Sequence, residues 1–234
     1  MKTPQQCIPI LQTGRWFAKL PEPMVQAMLG MAKIRTLQAG EVLFLRNDPP
    51  CGLYALVQGG IRFSGLSSTS HDTREAVLAV LTPPAWFGEI SVFDGSVRTH
   101  DAMALEPSTL LQVPHGDLTD WLHQHPMYWR TLAFLMADKL RMAFVSMEEQ
   151  TVLPVAQRLA RRLIVMSHDY GQGNVTSRSR RVLAVTQEQL AQMTGASRQT
   201  VNQILNDWKV RNIIRTQRAG LEIVDSVALQ KEGL

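Results

Sequence analysis

The stretch Thr186–Val210, TQEQLAQMTGASRQTVNQILNDWKV, has the pattern of two helices joined by a sharp turn. Thr186 followed by Gln189 fits a capping box, and Ser197 is a suitable N-cap for the second helix. Gly195 lies where the motif requires a close-packed turn. The stretch therefore predicts a helix-turn-helix, whose second helix enters the major groove of DNA.

The outer face of the second helix is polar, because Val201, Ile204 and Leu205 define the buried face. Arg side chains are suited to guanine edges, and Asn or Gln side chains to adenine edges. Two β-rich segments, Ile213–Thr216 and Leu221–Val224, then predict a hairpin wing whose arginines lie near phosphates. The candidate DNA-binding residues, caps included, are Thr186, Ser197, Arg198, Gln199, Thr200, Asn202, Gln203, Arg215 and Arg218. An ordinary helical hairpin with a solvated face is the alternative.

Charge is distributed unevenly along the 234-residue chain, whose formal net charge is +4. Met1 to Gln150 carries 12 basic and 14 acidic residues, whereas Thr151 to Leu234 carries 12 basic and 6 acidic residues. A basic second part is attracted to polyanions such as DNA or RNA, although the same charge also keeps a small domain soluble.

Cysteine count and hydropathy exclude several classes of protein. Cys7 and Cys51 are the only cysteines, too few for a disulfide scaffold, a four-cysteine zinc site or an all-cysteine iron–sulfur cluster within one chain. No apolar run approaches the roughly 18 residues of a membrane-spanning helix, and the first residues lack the apolar core of a secretory signal. We therefore expect a cytoplasmic protein in reducing surroundings.

Short β-rich segments separated by turns occupy the chain before the long helix described next. Their spacing predicts an antiparallel sandwich, barrel or jelly roll. The paired glycines Gly59 and Gly60 predict a tight hairpin, because glycine tolerates positive φ. The predicted strands are Lys33–Leu37, Glu41–Leu45, Leu53–Val57, Ile61–Ser64, Arg74–Leu81, Asp101–Leu105 and Thr109–Val113.

A long helix is predicted after Pro126, since proline is favoured in the first helical turn. Apolar residues then recur at intervals of three and four, which is the pattern of a coiled-coil seam. We expect this seam to join two copies of the chain, the alternative being a core helix with two buried faces. The expected interface residues are Trp129, Leu132, Met136, Leu140, Ala143 and Met147.

Almost the whole chain resembles the CRP/FNR superfamily of bacterial transcription regulators. The β-rich front part, the stretch Trp86–Gly95 (WFGEISVFDG), the long helix after Pro126 and the winged helix-turn-helix carry the resemblance. It implies an α+β fold with a cyclic-nucleotide-binding-type jelly roll (1–125), a dimerisation helix and hinge (126–153) and a DNA-binding domain (154–234). It also implies a homodimer that acts on a two-fold related double-stranded operator, with RNA polymerase as a further partner.

The recognition helix departs from the pattern of the cyclic AMP receptor proteins. Those proteins carry Arg-Glu-Thr-Val followed by Gly-Arg, whereas this chain reads Arg198-Gln199-Thr200-Val201-Asn202-Gln203. The first Arg is retained, but Gln replaces the Glu and the final Arg. We therefore expect an operator with a different base sequence.

The phosphate-binding cassette of the family, a Gly-Glu start and an Arg-Ser/Thr end, is matched by Gly88-Glu89 and Arg98-Thr99. The resemblance implies that Glu89 accepts a ribose hydroxyl and that Arg98 pairs with a phosphate. An ion pair between Glu89 and Arg98 that holds an empty loop is the alternative. The candidate effector contacts are Gly88, Glu89, Ile90, Ser91, Arg98, Thr99 and Phe144.

The identity of an effector stays open. Alignment from Pro126 places Ala143-Phe144 where cyclic AMP receptors carry a Thr-Ser pair that reaches the adenine. Ala143 has no polar group, and a missing polar partner in a buried site costs about 1–3 kcal/mol. Cyclic AMP, another nucleotide and an effector-independent regulator all remain candidates.

Other sensors and enzymes have weaker signals. An FNR-type oxygen sensor needs an N-terminal cysteine cluster that Cys7 and Cys51 cannot supply, which leaves them as a redox pair at most. A haem sensor needs an axial ligand, for which His71 and His115 are the candidates. His123-Gln124-His125 has cupin-like spacing but precedes a helix, so we expect neither a metal nor catalytic residues, and no enzyme. A cyclic-nucleotide-responsive protein-interaction module is the remaining alternative.

Overall fold

The computed structural model describes residues 3–69, 72–167, 182–217 and 220–234, with backbone alone for 66–69 and 72–75. His71 and Arg218, both named above, lie outside these residues. The helices are α1 Ile8–Leu11, α2 Glu22–Met31, α3 Glu89–Asp94, α4 His115–Gln124, α5 Trp129–Val152, α6 Val155–Ser167, α7 Gln187–Thr194, α8 Arg198–Val210 and α9 Ser226–Glu232. The strands are β1 Lys33–Leu37, β2 Val42–Phe44, β3 Leu53–Gln58, β4 Ile61–Thr69, β5 Asp72–Leu81, β6 Ala85–Phe87, β7 Asp101–Ala104, β8 Ser108–Val113, β9 Val182–Leu183, β10 Ile214–Gln217 and β11 Gly220–Ile223.

The first eight strands form two antiparallel four-stranded sheets, in the orders β1-β8-β3-β6 and β2-β7-β4-β5. Successive residues of strand β3, from Leu53 to Val57, are all buried. Since successive side chains point to opposite faces of a strand, β3 is buried on both faces. Tyr54 and Leu56 pack between the sheets, whereas Leu53 and Ala55 pack under the helices. This double burial explains why β3 is a continuous apolar run. The predicted β domain, long helix and winged helix-turn-helix are confirmed.

The predicted hairpin at Gly59-Gly60 is wrong. Strands β3 and β4 belong to different sheets, so the turn carries the chain from one layer of the roll to the other. Gly59 has φ +89°, and a Cβ there would lie 2.7 Å from the carbonyl oxygen of Pro107. Close approach of the two backbones, rather than strand pairing, requires glycine at this position.

Helix α5 divides its apolar residues between two surfaces. Leu132 is completely buried in the core between the β1-β8-β3-β6 sheet and the helices, and Trp129 packs against that core with its ring 5.4 Å from Phe93. Leu132 therefore cannot contact a second chain, and the prediction that it belongs to the dimer interface is wrong. Leu140 and Phe144 remain 53% and 60% exposed. They belong to a seam with heptad spacing, Ala133, Ala137, Leu140, Phe144, Met147 and Thr151.

The C-terminal domain has its own core, in which Leu159 and Leu163 of α6 pack with Val201 and Trp208 of α8. Strand β10 pairs with β11 in the predicted wing, and Ile214 lies opposite Ile223. A third strand, β9, adds to the other edge of β11. Helix α9 closes the domain, since Trp208 Nε1 donates to the Glu232 carboxylate at 3.0 Å.

The two domains touch in this structure. Val77 and Val80 of β5 belong to the same apolar cluster as Met193 of α7. The backbone N–H of Val77 donates to Gln192 Oε1 at 3.3 Å. Pro154 lies between α5 and α6.

No helix among the described residues is long and apolar enough to cross a membrane.

We expect Leu132→Ala to lower the free energy of unfolding by about 2–5 kcal/mol, because the truncation leaves a cavity in a closed core. The matched variant Leu45→Ala removes the same atoms from an exposed position that lies outside the α5 seam. Urea unfolding of both variants measures the difference. Equal losses at the two positions would contradict the assignment of Leu132 to the core.

Candidate functional site

The cassette begins at Gly88, which lies between the end of β6 and the start of α3 and has φ +95°. A Cβ at Gly88 would lie 2.7 Å from the carbonyl oxygen of Gly52 and 2.9 Å from Arg98 Nη1. Glycine is required here both for the backbone conformation and for the approach of the guanidinium. Helix α3 then carries Glu89, Ile90 and Ser91.

Arg98 is only 3% exposed and is held on several sides. Its Nη1 donates to the Gly88 carbonyl at 3.2 Å, and its Nη2 donates to the Gly52 carbonyl at 2.7 Å and to Cys51 Sγ at 3.1 Å. Its Cζ lies 4.5 Å from the centre of the Phe44 ring. Among the described residues, its Nε has no hydrogen-bond partner. A buried cation with an unused donor fits an anionic ligand such as a phosphate.

Glu89 does not pair with Arg98. The carboxylate, 3% exposed, accepts a hydrogen bond from Lys139 Nζ on α5 at 2.6 Å. The alternative ion pair between Glu89 and Arg98 is therefore wrong. Lys139 was not among the predicted residues, although its position one helical turn before Ala143 places both on the same face of α5.

A cavity of about 630 Å³ joins these residues to the long helix and the C-terminal domain. Gly88, Glu89, Ile90, Ser91, Arg98 and Thr99 all line it, as do Ala143 and Lys139 of α5. Phe144 is not among its lining residues, and its side chain lies on the exposed seam. The predicted contact of Phe144 with an effector in the cavity of its own chain is therefore wrong.

Two titratable groups near the cassette are shifted toward their neutral forms. Burial and the nearby Arg46 lower the pKa of His100, whose Nδ1 lies 2.9 Å from Thr99 Oγ1. Burial and the hydrogen bond to Cys51 raise the pKa of Tyr54, whose hydroxyl donates to Cys51 Sγ. The contact with His100 therefore partly engages the hydroxyl of Thr99 on the cavity wall.

The helix-turn-helix has the predicted caps. The Thr186 hydroxyl accepts from the Gln189 N–H at 3.1 Å, and Gln189 Oε1 accepts from the Thr186 N–H at 2.8 Å. The Ser197 hydroxyl accepts from the Thr200 N–H at 3.0 Å. Gly195 has φ +62° at the end of α7. Thr186, Ser197 and Thr200 thus have local hydrogen-bonding roles at the helix ends.

Helix α8 presents a polar surface opposite its buried residues. Arg198, Gln199 and Gln203 are exposed. Asn202 is half-buried, and its Oδ1 accepts from Gln187 Nε2 of α7 at 3.1 Å. The sequence analysis did not identify Gln187. Its position in the first turn of α7 is the only feature of the sequence that could have indicated this contact. The amide of Asn202 is therefore oriented before any DNA is bound.

In the wing, Arg215 is exposed and its Nη1 lies 3.8 Å from the buried carboxylate of Glu222. Gln217 Nε2 donates to the same carboxylate at 2.6 Å. Arg215 is therefore held on the surface of the wing. Within the described residues, no group of three or more His, Cys, Asp or Glu side chains could hold a metal ion.

We expect Gly88→Ala to lower the free energy of unfolding by about 1–3 kcal/mol more than Gly95→Ala. Both glycines have positive φ, but a Cβ at Gly95 meets nothing within 4 Å, whereas one at Gly88 meets the Arg98 guanidinium. Thermal or urea unfolding gives the comparison. Equal losses would mean that the cassette does not depend on close approach of Arg98.

Two family models match the chain, in separate segments. A cyclic nucleotide-binding domain matches residues 34–125, and a Crp-like helix-turn-helix domain matches residues 157–232. These segments contain the cassette and the two helices α7 and α8. The family members are transcription regulators, not enzymes.

Relatives span most of the chain. A CRP-like cAMP-activated global transcriptional regulator of Mycobacterium tuberculosis is 28% identical over 194 residues, covering 82% of this chain and 84% of the relative. The cyclic AMP receptor protein of Thermus thermophilus is 26% identical over 215 residues, covering 92% and 94%. The structure of FixK2 from Bradyrhizobium japonicum has the same fold, with a TM-score of 0.74 at 19% identity and coverage of 87% and 98%.

The order of a cyclic-nucleotide-binding-type roll, a long helix and a winged helix-turn-helix agrees with both family models and with the relatives. The chain belongs to the CRP/FNR superfamily of transcription regulators.

Proposed function

We propose that the chain binds operator DNA as a homodimer in the cytoplasm and that a nucleotide bound in the cavity controls this binding. One observation carries the proposal. The cavity that contains the cassette is also lined by Met193 and Thr194, at the end of the first helix of the helix-turn-helix. A ligand in the cavity therefore touches both the β-roll and the DNA-binding domain.

The cassette supports a phosphate-bearing effector. Arg98 offers a buried positive charge and an unused Nε donor, and charge-assisted hydrogen bonds to phosphate are strong. Glu89 is an acceptor at the same wall, because Lys139 donates to only one of its two carboxylate oxygens. Two relatives are named for cyclic AMP, which makes it the first nucleotide to test. Ala143 lines the cavity without a polar group, so the base is held there by apolar contact.

The exposed seam of α5 supports the homodimer. Leu140, Phe144 and Met147 are large apolar residues left in solvent on one face of a long helix. Two such helices bury the seam by knobs-into-holes packing. The resulting two-fold axis presents two copies of α8 to successive major grooves of an operator.

An effector would change the contacts that hold the DNA-binding domain against the rest of the chain. Gln192 of α7 accepts from the backbone of β5, and Arg158 of α6 donates to the carbonyls of Leu153 and Thr194 at 2.7 and 3.1 Å. A ligand that binds one placement of α6 and α7 more tightly than another shifts the population toward that placement. The break at Pro154 lies between α5 and α6, so α6 and α7 can change their placement relative to α5 there.

Arg198→Ala should reduce discrimination between an operator selected from random DNA and non-specific DNA by about 1–3 kcal/mol, because the exposed arginine reads a base edge. Fluorescence anisotropy on both DNAs measures this. The control Arg215→Ala should weaken both complexes equally and reduce the salt dependence, as expected for a phosphate contact. If Arg198→Ala also weakens both equally, Arg198 contacts phosphate.

Calorimetric titration tests the effector site. We expect cyclic AMP or another nucleotide to bind the wild-type chain and Arg98→Ala to weaken that binding by at least about tenfold. Arg35→Ala removes an exposed arginine of β1 outside the cavity and should leave the affinity unchanged. Undiminished binding by Arg98→Ala would place the nucleotide elsewhere.

A further inference from the structure

The cavity contains far more positive charge than a cyclic mononucleotide can neutralise. Six basic side chains and two acidic side chains, Glu89 and Glu149, are among its described lining residues. The basic ones are Arg98, Lys139, Arg141, Arg158, Arg161 and Arg162. A cyclic mononucleotide carries a single negative charge on its one phosphate.

Most of these cations already have partners. Lys139 pairs with Glu89, Arg161 Nη1 lies 3.0 Å from Glu149, and Arg141 Nη1 lies 2.7 Å from Asp138. Arg158 donates to three backbone carbonyls, those of Gln150, Leu153 and Thr194. Each of these four side chains therefore already has a partner within the protein.

The two other cationic groups of the cavity have no carboxylate partner among the described residues, and both retain free donors. One is Arg98, whose buried Nε is unpartnered. The other is Arg162, for which the described part of the chain provides neither a hydrogen bond nor an ion pair, although it is half-buried. Arg162 lies on α6, one helical turn after Arg158, and both line the cavity, whereas Leu159 and Leu163 are buried in the core.

Arg98 and Arg162 lie on separate walls of the cavity. Arg98 belongs to the β-roll, whereas Arg162 belongs to the DNA-binding domain. Apolar side chains, including Leu78, Met142 and Val165, line the space they share. The volume of about 630 Å³ is in the middle of the range of small-molecule sites, roughly 300–1,000 Å³, and leaves room for a ligand larger than a mononucleotide.

We propose that the effector is a nucleotide with two separated phosphate groups, one bound at Arg98 and the other at Arg162. The inference rests on the proposed nucleotide control of the same cavity and adds the number of phosphate groups that the ligand carries. Because Arg162 is part of α6, the second phosphate would tie the ligand directly to the DNA-binding domain. Arg162 is then the residue that distinguishes such a ligand from cyclic AMP.

The test is calorimetric titration of the full chain with cyclic AMP, cyclic di-GMP, cyclic di-AMP and guanosine 5′-diphosphate 3′-diphosphate. The variants are Arg98→Gln, Arg162→Gln and Arg162→Lys, with Arg35→Gln as the control that loses the same charge outside the cavity. Thermal unfolding of each variant shows whether it is folded. Each of the last three ligands has two separated phosphate-bearing groups, which are single phosphodiesters in the cyclic dinucleotides and diphosphates in the linear nucleotide. Their relative affinities separate these two kinds of ligand.

We expect at least one two-phosphate nucleotide to bind the wild-type chain at least about tenfold more tightly than cyclic AMP. Arg162→Gln should weaken that nucleotide about 10- to 100-fold and change the affinity for cyclic AMP less than about twofold. Arg162→Lys should fall between wild type and Arg162→Gln, because it keeps the charge but loses the planar fork. Arg98→Gln should weaken every nucleotide that binds.

Three results would overturn the inference. Binding of cyclic AMP that depends on Arg98, with no tighter two-phosphate ligand, would leave the proposed function standing and refute the second phosphate. Two-phosphate binding that is indifferent to Arg162→Gln would refute the assigned contact. If no nucleotide binds the folded chain, nucleotide control itself is wrong, and the inference fails with it.

Discussion

The buried guanidinium of Arg98 is the interaction on which the effector side of the molecule depends. Holding a charge in a nearly closed site requires hydrogen bonds on several sides, and the carbonyls of Gly52 and Gly88 supply them. Both residues have positive φ, so the backbone turns its oxygens inward at the two places where glycine permits it. Phe44 covers the planar face of the guanidinium. The Nε that remains without a partner is the donor proposed to bind the phosphate of an effector.

The order of β-roll, long helix and winged helix-turn-helix could be predicted because each part has a local signal. Caps at Thr186 and Ser197, the turn at Gly195 and the short β-rich segments separated by turns are patterns of a few residues, and the structure contains them. The cassette residues could be predicted only through the resemblance to the CRP/FNR superfamily. Their spacing alone does not show that Gly88 and Arg98 meet.

Partners across the fold were not predictable from the sequence. Apolar spacing on α5 identifies two rows but cannot tell which one covers the roll, so Leu132 was assigned to the wrong surface and Phe144 to the cavity. The ion pair between Lys139 and Glu89 joins residues 50 positions apart. The paired glycines at Gly59-Gly60 signal a sharp turn equally well whether the flanking strands pair or separate into two sheets.

Occupancy of the cavity is proposed to be coupled to DNA binding, because the β-roll, α5 and the DNA-binding domain all line it. The most direct measurement is operator affinity with and without saturating nucleotide, for the wild-type chain and for Arg98→Ala. We expect the nucleotide to change operator affinity by about 5- to 150-fold in the wild-type chain and not at all in the variant. Operator affinity that is the same in all four measurements, with the nucleotide shown to be bound to the wild-type chain, would contradict it.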